Sequence, residues 1–189
     1  MKMEHNAREK IISAAYQILA EKGYDAATTK GIAQQAGVAQ GLINYYFPSK
    51  DDLFLAVLEA ESTQFCSATQ TILDHPGPLS PDEVAGIIKN KLQQTLPLYR
   101  LTIELYALGL RNEKLHQAVC DHLNSARSLI QQILGLLCDK PAHELAPLAA
   151  IFLAAVEGLA VQKLADPEFD FDRAFDELIR LMTSRIASS

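Results

Sequence analysis

The stretch TTKGIAQQAGVAQGLINYYFPSK, residues 28–50, contains two short helical patterns with a glycine between them. Thr28 or Thr29 can cap the first helix, because a threonine hydroxyl accepts a hydrogen bond from a free amide of the first turn. Gly37 can end this helix, since glycine readily takes the positive φ of a sharp turn. The second pattern, residues 40–47, follows at once. This order of cap, helix, glycine and helix predicts a helix-turn-helix unit.

The second of these helices has one apolar side and one polar side. Ile43 and Phe47 lie four positions apart, so we expect both to face the core. At about 100° per residue, the remaining side chains turn outward. Glutamine and asparagine can pair a donor and an acceptor with adenine, and a helix of this width fits the major groove. We therefore predict that the outward residues read bases. They are Gln40, Gly41, Asn44 and Tyr45.

Hydroxyl and ammonium groups surround this outward face. Such groups meet phosphate oxygens and set the register of a protein on DNA without reading its sequence. Two alternatives remain open, since tyrosine and asparagine are common in ordinary cores and turns, and helix-turn-helix shapes also occur in proteins that bind no DNA. The residues placed at this rim are Thr29, Lys30, Tyr46 and Lys50.

The composition favours an all-α protein. The chain has 189 residues, 49% of them hydrophobic and none of them tryptophan, and good helix formers are abundant. Its net charge is −6, but residues 1–50 carry six Lys and Arg against four Asp and Glu, while residues 51–189 carry eleven against nineteen. A mildly basic front and an acidic remainder are compatible with nucleic-acid binding confined to the front.

The rest of the chain is predicted to form further helices. Before the helix-turn-helix unit, we expect a helix that begins near Asn6 and stops at Gly23. Pro48 ends the third helix, and Ser49 caps a fourth, at about 49–73. There are then about nine helices in all, the later ones at about 81–94, 97–110, 112–138, 143–165 and 171–186.

The chain divides into two predicted domains joined by the fourth helix. Residues 1–50 form the helix-turn-helix DNA-binding domain, and residues 51–189 form the larger body. Broad apolar stripes on the last two helices offer more surface than one small body should leave bare, which indicates a second copy of the chain. The stripe residues that we assign to this dimer interface are Phe152, Val156, Leu159, Phe175, Leu178 and Met182.

The segment TTKGIAQQAGVAQGLINYYFPSKDDL resembles the DNA-binding head of the TetR family of bacterial repressors, and EKGYDAATT before it is similar to the start of that head. The resemblance covers residues 7–58, and EGLAVQKLADPEFDFDRAFDELIRLM resembles the last two helices of family members less specifically. It implies a homodimer that binds a double-stranded DNA operator through its heads. It also implies that residues 51–189 form a ligand-binding and dimerisation domain for a small-molecule effector.

The resemblance implies roles for individual residues. Many family members carry tyrosine where Asn44 stands, so the contact there can be a base-edge hydrogen bond instead of a phosphate or stacking contact. The effector pocket would lie among helices four to seven, although aromatics at helical spacing are common in ordinary cores. Implied base contacts are Lys30, Gln40, Gly41, Asn44 and Tyr45, implied phosphate contacts are Thr29, Tyr46 and Lys50, and candidate pocket residues are Phe65, Tyr99 and Tyr106.

The sequence lacks the patterns of a metal site, a cofactor site or an enzyme. Cys66, Cys120 and Cys138 have no C-x-x-C spacing, and the five histidines show no metal-ligand spacing. G-x-S-x-G and phosphate-cradling loops are absent. The polar N-terminus predicts no signal peptide, and the apolar run LAPLAAIFLAAV is shorter than a bilayer requires, so we expect a buried helix there. We expect a cytoplasmic protein without a membrane segment.

These features together predict a sequence-specific DNA-binding transcriptional regulator, a repressor released from a palindromic operator by a small-molecule inducer. The inducer would tilt the fourth helix, so that the two heads no longer match the groove spacing. The alternative is a helical small-molecule-binding or interaction protein whose head reads no DNA.

Overall fold

The computed structural model describes residues 2–187, apart from the side chains of residues 2–6, 61–69, 97, 98, 114 and 187. Every regular element among the described residues is an α-helix, which confirms the predicted fold class. The helices are α1 (Lys2–Ala26), α2 (Thr29–Ala36), α3 (Gln40–Tyr46), α4 (Lys50–Leu73), α5 (Pro81–Gly109), α6 (Glu113–Leu137), α7 (Ala142–Ala165) and α8 (Phe171–Ala187).

Two helices differ in extent from the predicted ones. α1 begins at Lys2 instead of near Asn6. α5 continues through residues 95–96, where the sequence predicts a break, so that one helix of 29 residues replaces two shorter ones. The other helices end within a few residues of their predicted limits.

The chain forms two compact units, Met1–Thr63 with Arg100–Val119 and Gln64–Tyr99 with Cys120–Ser189. Helices α4, α5 and α6 each contribute residues to both units. The first unit therefore contains the three head helices, the start of α4, the end of α5 and the start of α6.

Local sequence signals build the head. The Thr28 hydroxyl accepts a hydrogen bond from the Gly31 amide at 3.1 Å and so caps α2. Gly37 ends α2 in the left-handed region, with φ 66°. Phe47 ends α3, and its amide donates to the Ile43 carbonyl oxygen at 2.8 Å. The turn and the cap predicted between residues 28 and 40 are therefore confirmed.

An apolar core holds the first unit together. α2 packs against both α1 and α3, and each helix buries one face. Full burial of a large apolar side chain contributes about 1.5–3 kcal/mol, so this core fixes the crossing of the short helices α2 and α3. Its most buried large side chains include Ile11, Leu19, Ile32, Ile43, Phe47, Leu53, Phe54 and Val57.

The backbone of α1 leaves the helical conformation at Gly23, where φ is 77° and ψ is 174°. This backbone region is open to glycine almost alone. The next amide, that of Tyr24, donates to Glu104 Oε2 on α5 at 2.8 Å. A Cβ atom on Gly23 would lie 2.7 Å from Glu104 Oε1. The predicted stop at Gly23 thus corresponds to a break whose dihedral angles favour glycine, and a side chain there would also displace the Glu104 carboxylate.

The core of the second unit joins α7 and α8 with parts of α5 and α6. The Phe171 and Phe175 rings stack with their centroids 6.0 Å apart. At the edge of this core, Lys89 Nζ lies 3.4 Å from an Asp172 carboxylate oxygen and 2.8 Å from one of Asp176. The buried members of the core are Leu92, Leu134, Leu145, Ala149, Phe152, Val156, Phe171, Phe175, Met182 and Ile186.

The structure corrects the predicted dimer interface at four of its six positions. The stripes of α7 and α8 pack against each other within one chain, so a second copy cannot reach their most buried side chains. Leu159 and Leu178 are partly buried and pack against the same core. The four buried residues, each 0–7% exposed, are Phe152, Val156, Phe175 and Met182.

The outer side of α7 is also apolar. Within the described part of the chain, α7 is the one helix long and apolar enough to cross a membrane, by length and composition alone, and 28% of its most apolar stretch is buried. The expectation of a buried helix is therefore wrong for its outer side. Ile151 and Val161 on α7 are 60% and 45% exposed, and Leu181 on α8 is 62% exposed. Both helices therefore have exposed apolar side chains in addition to the stripes through which they pack against each other.

Candidate nucleic-acid interface

The two sides of α3 differ as its sequence predicts. Ile43 and Phe47 are buried, at 1% and 4% exposure. Gln40 and Asn44 are exposed, and Tyr45 is 72% exposed. An exposed tyrosine beside exposed amides has no role in the core of the head, so this face is available to bind a ligand.

Gly41 also lies on the exposed side of α3. A Cβ atom added there would meet nothing within 4 Å, so no neighbouring group of the chain requires a glycine at this position. The absence of a side chain instead lets an external surface approach the helix backbone closely.

Gln40 and Thr29 contact each other. Gln40 Nε2 donates a hydrogen bond to Thr29 Oγ1 at 3.3 Å. Thr29 is the first residue of α2 and Gln40 is the first residue of α3. The structure therefore joins a residue predicted to read bases to one predicted to contact phosphate, while Lys30 beside them is exposed.

Aromatic rings follow one another at the end of α3. Tyr45 and Tyr46 form an edge-to-face pair with centroids 5.1 Å apart, and the Tyr46 and Phe47 centroids lie 6.4 Å apart. The guanidinium carbon of Arg8 lies 5.5 Å from the centroid of the Phe47 ring, within the range of a cation–π contact. Tyr46 is half-buried. It therefore supports the head, while Tyr45 projects from it.

Lys50, predicted to contact phosphate, binds the end of α1. Its Nζ donates to the Asp25 carbonyl oxygen at 3.3 Å and lies 4.2 Å from the centroid of the Tyr24 ring. An ammonium group has three N–H donors. The bond to Asp25 therefore leaves donors for a phosphate oxygen.

A polar cluster surrounds Asp51, the second residue of α4. The Tyr24 hydroxyl donates to one carboxylate oxygen of Asp51, and Asn112 Nδ2 donates to the other at 3.5 Å. Burial, and then the hydrogen bond to Asp51, raise the pKa of the Tyr24 phenol. With Glu104, these contacts fasten the end of α1 and the start of α4 to α5 and to the turn before α6. No short motif connects these residues, so the sequence pattern gave no sign of the cluster.

Comparison with known proteins places this head among regulators. A family model described as "Bacterial regulatory proteins, tetR family" matches residues 11–57. An uncharacterized HTH-type transcriptional regulator in the dhlA 5' region of Xanthobacter autotrophicus is 26% identical over 175 residues, which are 88% of this chain and 84% of the relative. The chain has the DNA-binding head of the TetR family. It is a helix-turn-helix transcriptional regulator.

Solved structures of other transcriptional regulators share the fold of nearly the whole chain. A TetR transcription regulator from Haloarcula marismortui superposes with a TM-score of 0.77 at 19% identity, covering 96% of this chain and 98% of its own. The regulator FadR from Bacillus subtilis, solved in complex with stearoyl-CoA, gives a TM-score of 0.72 at 21% identity, with 93% and 97% of the two chains covered. These similarities establish that the helical body, as well as the head, has the TetR fold.

Two of the three predicted pocket residues, Tyr99 and Tyr106, lie on α5. Phe65 lies outside the described side chains. Tyr99 packs against the core of the second unit, and burial, with the nearby Glu157 carboxylate, raises its pKa. Tyr106 belongs to the first unit. The pocket formed by these three residues therefore stays a prediction.

A small apolar cavity lies in the second unit between α5, α6, α7 and α8. Val84, Ile133 and Met182 are among its lining residues, and its volume is about 40 Å³. Pockets for drug-sized ligands measure roughly 300–1,000 Å³. This cavity is therefore too small for such an effector in the described conformation.

Proposed function

We propose that the protein is a homodimeric repressor that binds a palindromic DNA operator and is released from it by a small-molecule inducer. The exposed face of α3 supports this best, because Ile43 and Phe47 are buried while Asn44 and Tyr45 face outward. Each head would insert α3 into a major groove, with the two grooves about 34–36 Å apart or a multiple of that distance. Such a repressor acts in the cytoplasm, where bacterial DNA lies.

In this proposal α3 reads bases and its surroundings hold the DNA backbone. Asparagine and glutamine amides pair with adenine through one donor and one acceptor. Gly41 lets the helix approach the base edges. Charged and hydroxyl groups bind phosphates independently of sequence. The proposed base contacts are Gln40, Gly41, Asn44 and Tyr45 with Lys30, and the proposed phosphate contacts are Tyr46, Lys50 and Thr29.

The outer side of α7 and α8 is the proposed dimer interface. Ile151, Ala154, Gly158 and Val161 recur at helical spacing on the exposed side of α7. A Cβ atom on Gly158 would meet nothing within 4 Å, and such small residues allow two helices to approach closely. Exposed apolar surface of this kind marks protein interfaces. A two-fold axis beside α7 would pair the face with its own copy.

The inducer is proposed to act through helices that belong to both units. α5 and α6 each contain residues of both units. In the first unit, Glu104 on α5 binds the end of α1, and Asn112, just before α6, binds the start of α4. A ligand that favours one arrangement of these helices would shift the population of head orientations. Because FadR of Bacillus subtilis is described with stearoyl-CoA, an acyl-CoA is a suitable first ligand to test.

Binding selection from random oligonucleotides tests the proposed function. The wild-type protein should enrich an inverted repeat. Asn44→Ala should relax the preference at one position of each half-site, since a good paired contact discriminates by about 1–3 kcal/mol. Lys50→Ala should instead weaken binding to all sequences. It should also reduce the slope of log affinity against log salt concentration by about 1, the value for one phosphate contact. Failure of the wild type to enrich any inverted repeat would contradict the proposal.

A further inference from the structure

We propose that Thr29 orients the Gln40 side chain for base reading and so helps to determine the operator sequence. The proposal depends on the proposed binding of DNA through α3. It replaces the phosphate contact proposed above for Thr29 with a role that acts through the side chain of another residue.

The acceptor of this hydrogen bond, Thr29 Oγ1, belongs to a part of α2 that is held in place. Thr29 follows Thr28, whose hydroxyl is bound by the Gly31 amide, so the start of α2 is held by its cap. Thr29 itself is half-buried, whereas Gln40 is exposed. The hydrogen bond from Gln40 Nε2 to Thr29 Oγ1, at 3.3 Å, therefore restricts a long, exposed side chain by binding it to an oxygen whose backbone is held in place.

The contact also changes which groups Gln40 can offer to a base. A glutamine amide has two N–H donors on nitrogen and one oxygen acceptor. Thr29 uses one N–H, which leaves one donor and the acceptor. Adenine presents the matching acceptor and donor in the major groove, at N7 and the N6 amino group.

Guanine presents two acceptors, N7 and O6, at the same edge. A free glutamine amide could direct both N–H groups toward them. With one N–H bound to Thr29, that arrangement is lost, and the amide oxygen would face an acceptor. Thr29 thus favours adenine over guanine at the base that Gln40 contacts.

The bond also reduces the free-energy cost of ordering Gln40. A long polar side chain loses considerable rotamer freedom when it is fixed on a ligand. A side chain that is already held near its bound conformation loses less. Removal of the Thr29 hydroxyl should therefore weaken both the affinity for the best operator and the base preference at this position.

A phosphate contact would behave differently. The loss of a hydroxyl that binds the DNA backbone weakens binding to every sequence by the same factor. The loss of an orienting hydroxyl instead changes the preference at the base read by Gln40. The sequence dependence of the effect therefore separates the two roles.

The experiment compares four proteins on the same operator library: wild type, Gln40→Ala, Thr29→Val and Thr29→Ser. Gln40→Ala identifies the base position that Gln40 reads. Thr29→Val keeps the shape of the side chain but removes the oxygen, and Thr29→Ser keeps the oxygen. Thr29→Ala provides a second removal of the hydroxyl if the valine variant folds poorly, as judged by circular dichroism.

We expect the wild type to select adenine at the position that Gln40→Ala identifies. Thr29→Val should lower the adenine-to-guanine preference there by about three- to tenfold, a part of the discrimination of a good paired contact. Thr29→Ser should keep the wild-type preference, and all variants should keep the preferences at other positions.

An even loss of affinity across all sequences in Thr29→Val would overturn this role and assign Thr29 to a phosphate. An unchanged preference, or a base other than adenine at the Gln40 position, would also overturn it. If the wild type enriches no inverted repeat, the proposed function itself is wrong. That result is seen before any variant is compared, so the two failures are distinguishable.

Discussion

Replacement of Gly23 by alanine adds a methyl group where the end of α1 meets α5. Gly23 has φ 77° and ψ 174°, and a residue with a Cβ atom is strained there by about 1–3 kcal/mol. The new atom would also lie 2.7 Å from Glu104 Oε1, so the carboxylate has to move. This movement weakens its bond with the Tyr24 amide, now 2.8 Å long, and bonds to charged groups contribute about 1.5–3 kcal/mol. Because Glu104 is half-exposed and can adjust, we expect a total loss of about 2–4 kcal/mol.

Urea unfolding followed by circular dichroism, at one fixed protein concentration, measures this loss. Gly86→Ala is a matched control, since Gly86 lies on the exposed side of α5 and a Cβ atom there would meet nothing within 4 Å. Alanine should stabilise that helix by about 0.5–1 kcal/mol. The same methyl group is thus expected to act with opposite signs at the two glycines.

A second comparison separates the two causes of the loss. In a chain that already carries Glu104→Ala, Gly23→Ala meets no carboxylate, so its cost should fall to the backbone strain of about 1–3 kcal/mol. If Gly23→Ala unfolds at the wild-type urea midpoint, neither the strain nor the crowding is real. If its cost is the same with and without Glu104, the contact with α5 contributes nothing.

Three further changes have expected results. Burial and a neighbouring carboxylate raise the pKa of Tyr24 in the folded protein. The phenol therefore ionises first in the unfolded chain, and the free energy of unfolding should fall as the pH rises above about 10. Unfolding experiments between pH 9 and 11 should show a smaller fall for Tyr24→Phe than for the wild type. Leu181→Glu should convert the proposed dimer to a monomer in sedimentation velocity, whereas Arg173→Glu, on the same helix, should not. If the Leu181→Glu protein is still a dimer, α8 does not belong to the interface. Phe175→Ala should lower the free energy of unfolding by about 3–5 kcal/mol, while the folded protein still dimerises. Dissociation of the dimer without a loss of stability would show instead that Phe175 belongs to the interface.

The helix-turn-helix unit could be predicted because its determinants act over short distances along the chain. The Thr28 cap binds an amide three residues away, and Gly37 turns the backbone through its own dihedral angles. Ile43 and Phe47 are on one side of a single helix, so their spacing alone predicts that they are buried together. Each signal can be interpreted without knowledge of the rest of the fold.

The contacts that hold the head to α5 and to the turn before α6 could not be predicted in this way. Tyr24 and Asp51 are 27 residues apart, Asp51 and Asn112 are 61 apart, and Tyr24 and Glu104 are 80 apart. Each is an ordinary polar residue in its own segment. Only the packing of α5 beside the end of α1 turns Glu104 into a partner for the Tyr24 amide.

The proposed dimer interface shows a different limit of sequence patterns. They predicted the helix α7, but not which of its sides faces the core. α7 is apolar around most of its circumference, so periodicity cannot decide which side packs within the chain. Phe152 and Val156 are buried in the core, while Ile151 and Val161 stay exposed. A partner is therefore expected because of the apolar residues that stay exposed, and not because of the stripe. An apolar side chain that is already buried gains nothing from a second copy, whereas each exposed one loses contact with water when the copy binds. The exposed residues of α7, with Leu181, thus support a dimer more directly than the stripe from which it was first inferred.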